Sequence, residues 1–246
     1  MVNLQSVEAL AEHSPMKILL YGQSGAGKSW AASSCPKPAV LLTERNGLQS
    51  IRHSNPEAKV AYCSNANDVR DFIVAAMKGE LSEAGCESIV VDSLTEIQRL
   101  FADEILGSKG EENATMSLQD WGILTDKMRR FMRVMRDIDM NVVCTALVEH
   151  QPDEASGSVR VFPAFQGKKL AGEVAQYFNV VGYVFKKEGK DSDGNRAIEH
   201  RIMLDGPSRY LCKPCYPLGG IREPDLAVWV GEFNQAAGSA VSKKGE

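Results

Sequence analysis

The sequence predicts an α/β fold: a mostly parallel central sheet flanked by helices, with a β-hairpin at one sheet edge. Three observations predict it. Short apolar runs of the kind shown by strands buried on both faces alternate with segments of helical period. A glycine-rich turn, Gly22-Gln23-Ser24-Gly25-Ala26-Gly27-Lys28-Ser29, joins the first of these runs to a helical segment. Near the C-terminus, two β-compatible runs flank a single polar turn.

Met16 to Tyr21 is the first strand, and a helix begins near Gly27 and closes at Pro36 and Pro38. Ala39 to Thr43 is the second strand, turning at Glu44-Arg45-Asn46-Gly47. A weaker strand at Lys59 to Tyr62 precedes a capped helix from Asn67 to Met77. Ser88 to Asp92 is a further strand, and Leu94, Ile97, Leu100, Phe101 and Ile105 then recur at helical spacing.

Gly107 to Asn113 reads as a polar loop before a long helix from about Leu118 to Ile138. On that helix Met128, Phe131, Met132 and Met135 form a core stripe and leave Arg129, Arg130, Arg133 and Arg136 as a solvated face. Asn141 to Leu147 is a buried strand, and Glu149 to Gly167 reads as a long loop because Pro152, Gly157, Pro163 and Gly167 interrupt any period. Gly167 to Phe178 resumes a helical pattern. Val180 to Phe185 then pairs with Ile198 to Leu204 across the turn Asp191-Ser192-Asp193-Gly194-Asn195, and Trp121 and Trp229 are expected to pack inside.

One domain accommodates all of this, since 246 residues with 43% hydrophobic content can bury a single full core. Residues 1–15 form an extension, 16–236 the core, and 237–246, small or charged, a disordered tail. A net charge of −4 excludes a surface that grips nucleic acid everywhere and confines any such contact to a patch. Val142 to Val148 is far short of the ~20 residues that span a bilayer, so no membrane contact is expected. Residues 1–15 lack the pattern of a secretory signal, which predicts a cytoplasmic protein with its six cysteines reduced. Cys212 and Cys215 have metal-knuckle spacing but no second pair to complete a zinc site, so no metal is expected there.

The glycine-rich turn carries the chemistry. Backbone N–H groups converge on an anion only where no Cβ blocks the turn, and Gly22, Gly25 and Gly27 give that freedom to a loop that also contains Gln23, Ser24 and Ala26. Lys28 reaches the β- and γ-phosphates of a nucleoside triphosphate, ATP by expectation, and Ser29 ligates Mg²⁺. Asp92, at the end of Ile89-Val90-Val91, is the second carboxylate such a site needs for its metal, and a helix N-cap is compatible with that place. Glu44 follows the second strand on the same rim and is a candidate to take a proton from water, against the plainer reading of a solvated turn residue.

Gly22 to Ser29, Leu42-Thr43-Glu44 and Val90-Val91-Asp92-Ser93 together resemble the RecA/RadA core, and more closely the short phage ATPases with an AAA domain often called Sak-type single-strand annealing proteins. The resemblance spans about residues 16 to 226. It implies a RecA-like P-loop ATPase, Mg²⁺-dependent, with Glu44 and Lys28 catalytic and with Thr145 or His150 as γ-phosphate sensor. It also implies single-stranded DNA binding through the stretch from Gln151 to Gly167, with Arg160, Phe162 and Phe165 followed by Lys168 and Lys169, while Asp153 and Glu154 dilute its charge. Basic groups there would neutralise phosphates while aromatic faces stack on bases. Lys213 or Arg209 would reach a neighbour's nucleotide in a homo-oligomer, and a single-strand-binding protein is a further implied partner. The alternatives are a nucleotide switch that binds a protein partner in phage replication or packaging without touching DNA, and, more weakly, a small-molecule kinase.

Overall fold

The computed structural model describes residues 4–6, 14–110, 113–152, 157–190 and 195–242. The strands are β1 (Lys17–Gly22), β2 (Pro38–Leu42), β3 (Lys59–Tyr62), β4 (Ser88–Asp92), β5 (Asn141–Pro152), β6 (Val159–Pro163), β7 (Val180–Lys190), β8 (Arg196–Met203) and β9 (Ile221–Arg222). The helices are α1 (Lys28–Ser33), α2 (Leu48–Ser54), α3 (Ala66–Met77), α4 (Glu80–Glu83), α5 (Leu94–Gly107), α6 (Leu118–Asp137), α7 (Lys168–Glu173) and α8 (Leu226–Ser242).

β1, β2 and β4 are buried at every position, which is why their sequences are continuously apolar rather than alternating. The sheet order is β3-β2-β4-β5-β1-β7-β8-β9. The first six strands pair in parallel, and β8 and β9 are added antiparallel at the β7 side. One strand, β5, stands between β1 and β4. The parallel strands end on one rim, so the ends of β1, β2 and β4 face a shared crevice.

Side-chain alternation along β1 sends Leu19 and Tyr21 into one core and Ile18 and Leu20 into the other. The first core lies under α3, α5 and α6, whose stripe of Leu124, Met128, Phe131, Met132 and Met135 is buried as the spacing predicts. The second lies under α1, α2 and α8. The arginines of α6 do more than solvate it: Arg129 holds Glu173 through both carboxylate oxygens at 2.8 to 3.0 Å and so fastens α6 to α7.

Several expectations are corrected. Glu149 to Gly167 is not a loop throughout: β5 continues to Pro152, and its outer half pairs antiparallel with β6, Val148 opposite Pro163 and Gln151 opposite Arg160. The outer half of β5 is only partly buried, so it carries polar residues and lacks the apolar run that marks a buried strand. Asp153 and Glu154, and residues 191–194 of the hairpin turn, lie outside the described residues. Trp121, expected inside, is 36% exposed because the apolar face of α6 begins only at Leu124. The segment expected as a tail from Ala237 begins within α8, an Ala-containing helix that runs to Ser242; residues 243–246 are outside the described part.

One ion-pair cluster ties three helices. Glu104 of α5 accepts from Arg70 of α3 and Lys127 of α6, both at 2.6 Å, and these hydrogen bonds hold its carboxyl down at about 2. The folded pKa lies below the ordinary one, so the cluster stabilises above about pH 4.5 and that contribution is lost as pH falls towards 2. Because the group is partly solvated, the contribution is about 0.5–1 kcal/mol. Urea midpoints measured between pH 5 and 2.5 should flatten accordingly in Glu104→Gln.

Candidate active site

β1 ends at Gly22, whose missing Cβ would otherwise collide with the carbonyl of Val184 on β7. That glycine therefore serves close strand packing rather than anion approach. The turn itself depends on Gly25 (φ 73°) and Gly27 (φ 100°), both in the left-handed region. Gln23, Ser24 and Gly25 are exposed at its crest, whereas Ala26 is buried. Lys28, 9% exposed, folds back so that Nζ donates to the carbonyls of Gly22 (3.0 Å) and Gln23 (2.8 Å). Burial lowers its pKa, and the carboxylates of Asp92 and Glu44 oppose that shift. Both acids are thus electrically close to the loop lysine.

Asp92 is 9% exposed at the end of β4. Its Oδ1 accepts a hydrogen bond from Thr145 on β5 at 2.5 Å. The helix-capping role belongs to the next residue: Ser93 Oγ accepts from Glu96 N–H at 3.3 Å, which leaves Asp92 Oδ2 for the crevice. Thr43 locks β2 to β4 at this level, its N–H and its hydroxyl each donating to the Asp92 carbonyl at 2.9 Å while Oγ1 accepts from Ser93 N–H at 3.1 Å. Glu44 follows in an extended conformation (φ −127°, ψ 119°), exposed at the mouth. The crevice, about 280 Å³, is lined by Ser24, Lys28, Ser29, Glu44, Asn46 and Asp92 among others.

A divalent metal fits the donors present. A Cβ built on Gly47 would fall 3.2 Å from Asp92 Oδ2 and 3.8 Å from Ser29 Oγ, so Gly47 keeps open a cradle bordered by one carboxylate and one hydroxyl oxygen. Such hard oxygen donors suit Mg²⁺. Gly47 has ordinary helical angles (φ −70°, ψ −22°), so Gly47→Ala introduces no backbone strain. It should raise the Mg²⁺ concentration needed for nucleotide binding on the order of tenfold, as read by Mg²⁺ titration.

The other predicted residues separate. Thr145, fully buried, joins the site through Asp92. His150 is exposed opposite Val161 and is not among the crevice-lining residues. Phe162 (8% exposed) and Phe165 (4%) are core residues, because β6 and α7 fold back over the first core, so neither ring face is presented for stacking. Arg160 is exposed, its guanidinium 4.8 Å from the Phe162 ring centre. Lys168 and Lys169 open α7, and their side chains are outside the described part.

Lys213 turns inward, donating to the carbonyls of Ala175 (3.2 Å) and Phe178 (2.6 Å), which occupies it at the end of the 3₁₀ turn Val174–Tyr177. Arg209 is exposed, 5.0 Å from the Tyr210 ring centre. Cys212 donates to the Met203 carbonyl at 3.3 Å, and burial pushes its thiol up to about 11. Among the described residues no group of three or more His, Cys, Asp or Glu is arranged to hold a metal.

Residues to which the sequence assigned no role also frame the site: Gly47 and Thr43 near Asp92, and His200 with Lys186 on the β7–β8 hairpin. His200 Nδ1 lies 2.7 Å from the Ala26 carbonyl oxygen, and a Cβ on Gly25 would lie 4.0 Å from Lys186 Nζ. The stretch from Thr43 to Gly47 carried a signal, a turn glycine three residues after the candidate base, whereas His200 and Lys186 carried none.

No described helix is long and apolar enough to cross a membrane. No curated protein matches the chain. Among solved structures, a prototypical ATPase from the type III secretion system of pathogenic bacteria aligns at 14% identity with a TM-score of 0.46, over 72% of this chain and 54% of that one. The chain thus spans about half the length of that neighbour. A family model described as an AAA domain matches residues 14–213, the stretch that holds the phosphate loop, Glu44, Asp92 and Thr145. The chain belongs to this AAA-domain family of P-loop ATPases.

Proposed function

We propose that this protein hydrolyses ATP with Mg²⁺ and couples hydrolysis to single-stranded DNA in recombination or strand annealing, as its resemblance to the short Sak-type group implies. The observation that carries the reading is the continuity of β5. Thr145 on this strand donates to Asp92, and further along the same strand Gln151 pairs with Arg160 in the exposed arm. One strand thus runs from the residue bonded to Asp92 to the residue paired with exposed Arg160, which supports a link between the crevice and a DNA-binding surface.

At the crevice, Lys28 and the loop N–H groups bind the β- and γ-phosphates. Ser29 and Asp92 would hold Mg²⁺, which would neutralise charge on the phosphate oxygens. Glu44 accepts the proton of the water whose oxygen attacks the γ-phosphorus as the bond to ADP breaks. Thr145, bonded to Asp92, ties the state of the nucleotide to β5. Assembly into a homo-oligomer belongs to the same proposal, with Arg209 the exposed candidate to reach a neighbour.

ATPase rates measured with and without single-stranded DNA test the reading. DNA should raise the rate of the wild type, and Arg160→Ala should weaken that stimulation. No rise, together with no gel shift by the ATP-bound protein, overturns the DNA part and leaves the ATPase part standing.

A second reading, a nucleotide switch that binds a protein partner, is favoured by one observation. Phe162 and Phe165 are buried, so the arm lacks the aromatic platform of most single-strand binders. ATP-dependent co-elution with a single-strand-binding protein, without DNA stimulation, would support it.

A further inference from the structure

The β7–β8 hairpin touches the phosphate loop from behind. His200 and Lys186 stand opposite each other in its register and share one face. A backbone carbonyl only accepts, so the 2.7 Å contact between His200 Nδ1 and the Ala26 oxygen places the ring proton on Nδ1. The contact is close enough that a Cβ on Gly27 would fall 2.8 Å from the same nitrogen.

The Ala26 carbonyl and the Gly27 N–H belong to one planar peptide and point in opposite directions. Holding the carbonyl on the hairpin side therefore aims the Gly27 N–H into the loop. That N–H has no partner among the described residues, which leaves it available to an anion. Gly27 is also the residue that precedes α1, so the same peptide sets the direction of the first helical turn and of Lys28.

We propose that His200 is a positioning residue for the phosphates of the bound nucleotide: from β8, two strands along the sheet from β1, it fixes the Ala26–Gly27 peptide so that the Gly27 N–H meets a phosphate oxygen. This rests on the reading of the crevice as a nucleotide site. The ligand class is a nucleoside di- or triphosphate. His200 touches the loop and not the ligand, so its effect falls on affinity for the phosphates.

Calorimetric titration of the full chain with Mg²⁺-ATP and Mg²⁺-ADP tests it, using His200→Ala and His200→Asn. Asparagine places its amide nitrogen one bond beyond Cγ, as histidine places Nδ1. Replacing a hydrogen bond that orients an anion-binding group should weaken both nucleotides about tenfold in His200→Ala. His200→Asn should recover most of that loss, with the melting temperatures of both variants matched in the absence of nucleotide. Equal affinity in wild type and His200→Ala overturns the inference, as does an equal loss in both variants. If the wild type binds neither nucleotide, the reading of the crevice itself fails first.

Discussion

Glu44→Gln should bind ATP as the wild type does and hydrolyse it some 10² to 10⁴ times more slowly, the range in which a positioned proton acceptor contributes. The substitution keeps the shape of the side chain and removes its ability to take a proton. Glu44 is suited to the role by place. It stands at the exposed mouth of the crevice, its charge acts on Lys28, and Thr43 beside it is locked to the backbone of Asp92. Single-turnover hydrolysis alongside equilibrium binding separates the two effects. Wild-type turnover in Glu44→Gln would assign the proton to another group.

Trp229→Ala should be the most destabilising single truncation, at about 3–5 kcal/mol. The indole is 1% exposed at the centre of the second core, and its Nε1 donates to the Glu223 carbonyl at 3.1 Å. The Arg222 guanidinium lies 5.8 Å from the ring centre and is itself held by both oxygens of Glu232. Loss of the ring leaves a cavity where α8 meets α1, the helix that follows the phosphate loop. The two are joined by the Leu226 N–H donating to Ser34 Oγ at 2.9 Å. Urea unfolding reads the loss directly, and a change below about 1 kcal/mol would show that the second core does not depend on this helix.

Much of the fold was legible because a doubly covered parallel sheet writes itself as apolar runs. β1, β2 and β4 have no alternation to misread, and the glycines of the phosphate loop adjoin the first of them. The arm of β5 and β6 was not legible for the complementary reason. Beyond Leu147 the strand is only partly buried, and Glu149, His150 and Gln151 carry no signal that separates a partly solvated strand from a loop. Phe162 and Phe165 were misread as stacking groups, since an aromatic ring beside arginine looks the same in sequence whether it faces a base or a core.

The candidate site divides along the same line. Lys28, Ser29 and Asp92 follow from local motif chemistry, but the contribution of Gly47 depends on β2 lying beside β4, which is a fact of sheet order. His200 is 174 positions from Ala26, and only the return of the hairpin brings it to the loop. Lys213 shows the converse. A basic residue in the expected place for contact with a neighbour is turned inward to the carbonyls of Ala175 and Phe178, where the 3₁₀ turn Val174–Tyr177 ends.

Every role assigned above depends on a nucleoside triphosphate occupying the crevice between the phosphate loop and Asp92. Calorimetric titration of wild type and Lys28→Ala with Mg²⁺-ATP tests it most directly. Binding should be saturable at one site in the wild type and weakened at least tenfold in Lys28→Ala, where a buried ammonium at the phosphate loop is lost. Equal affinity in the two proteins would contradict it.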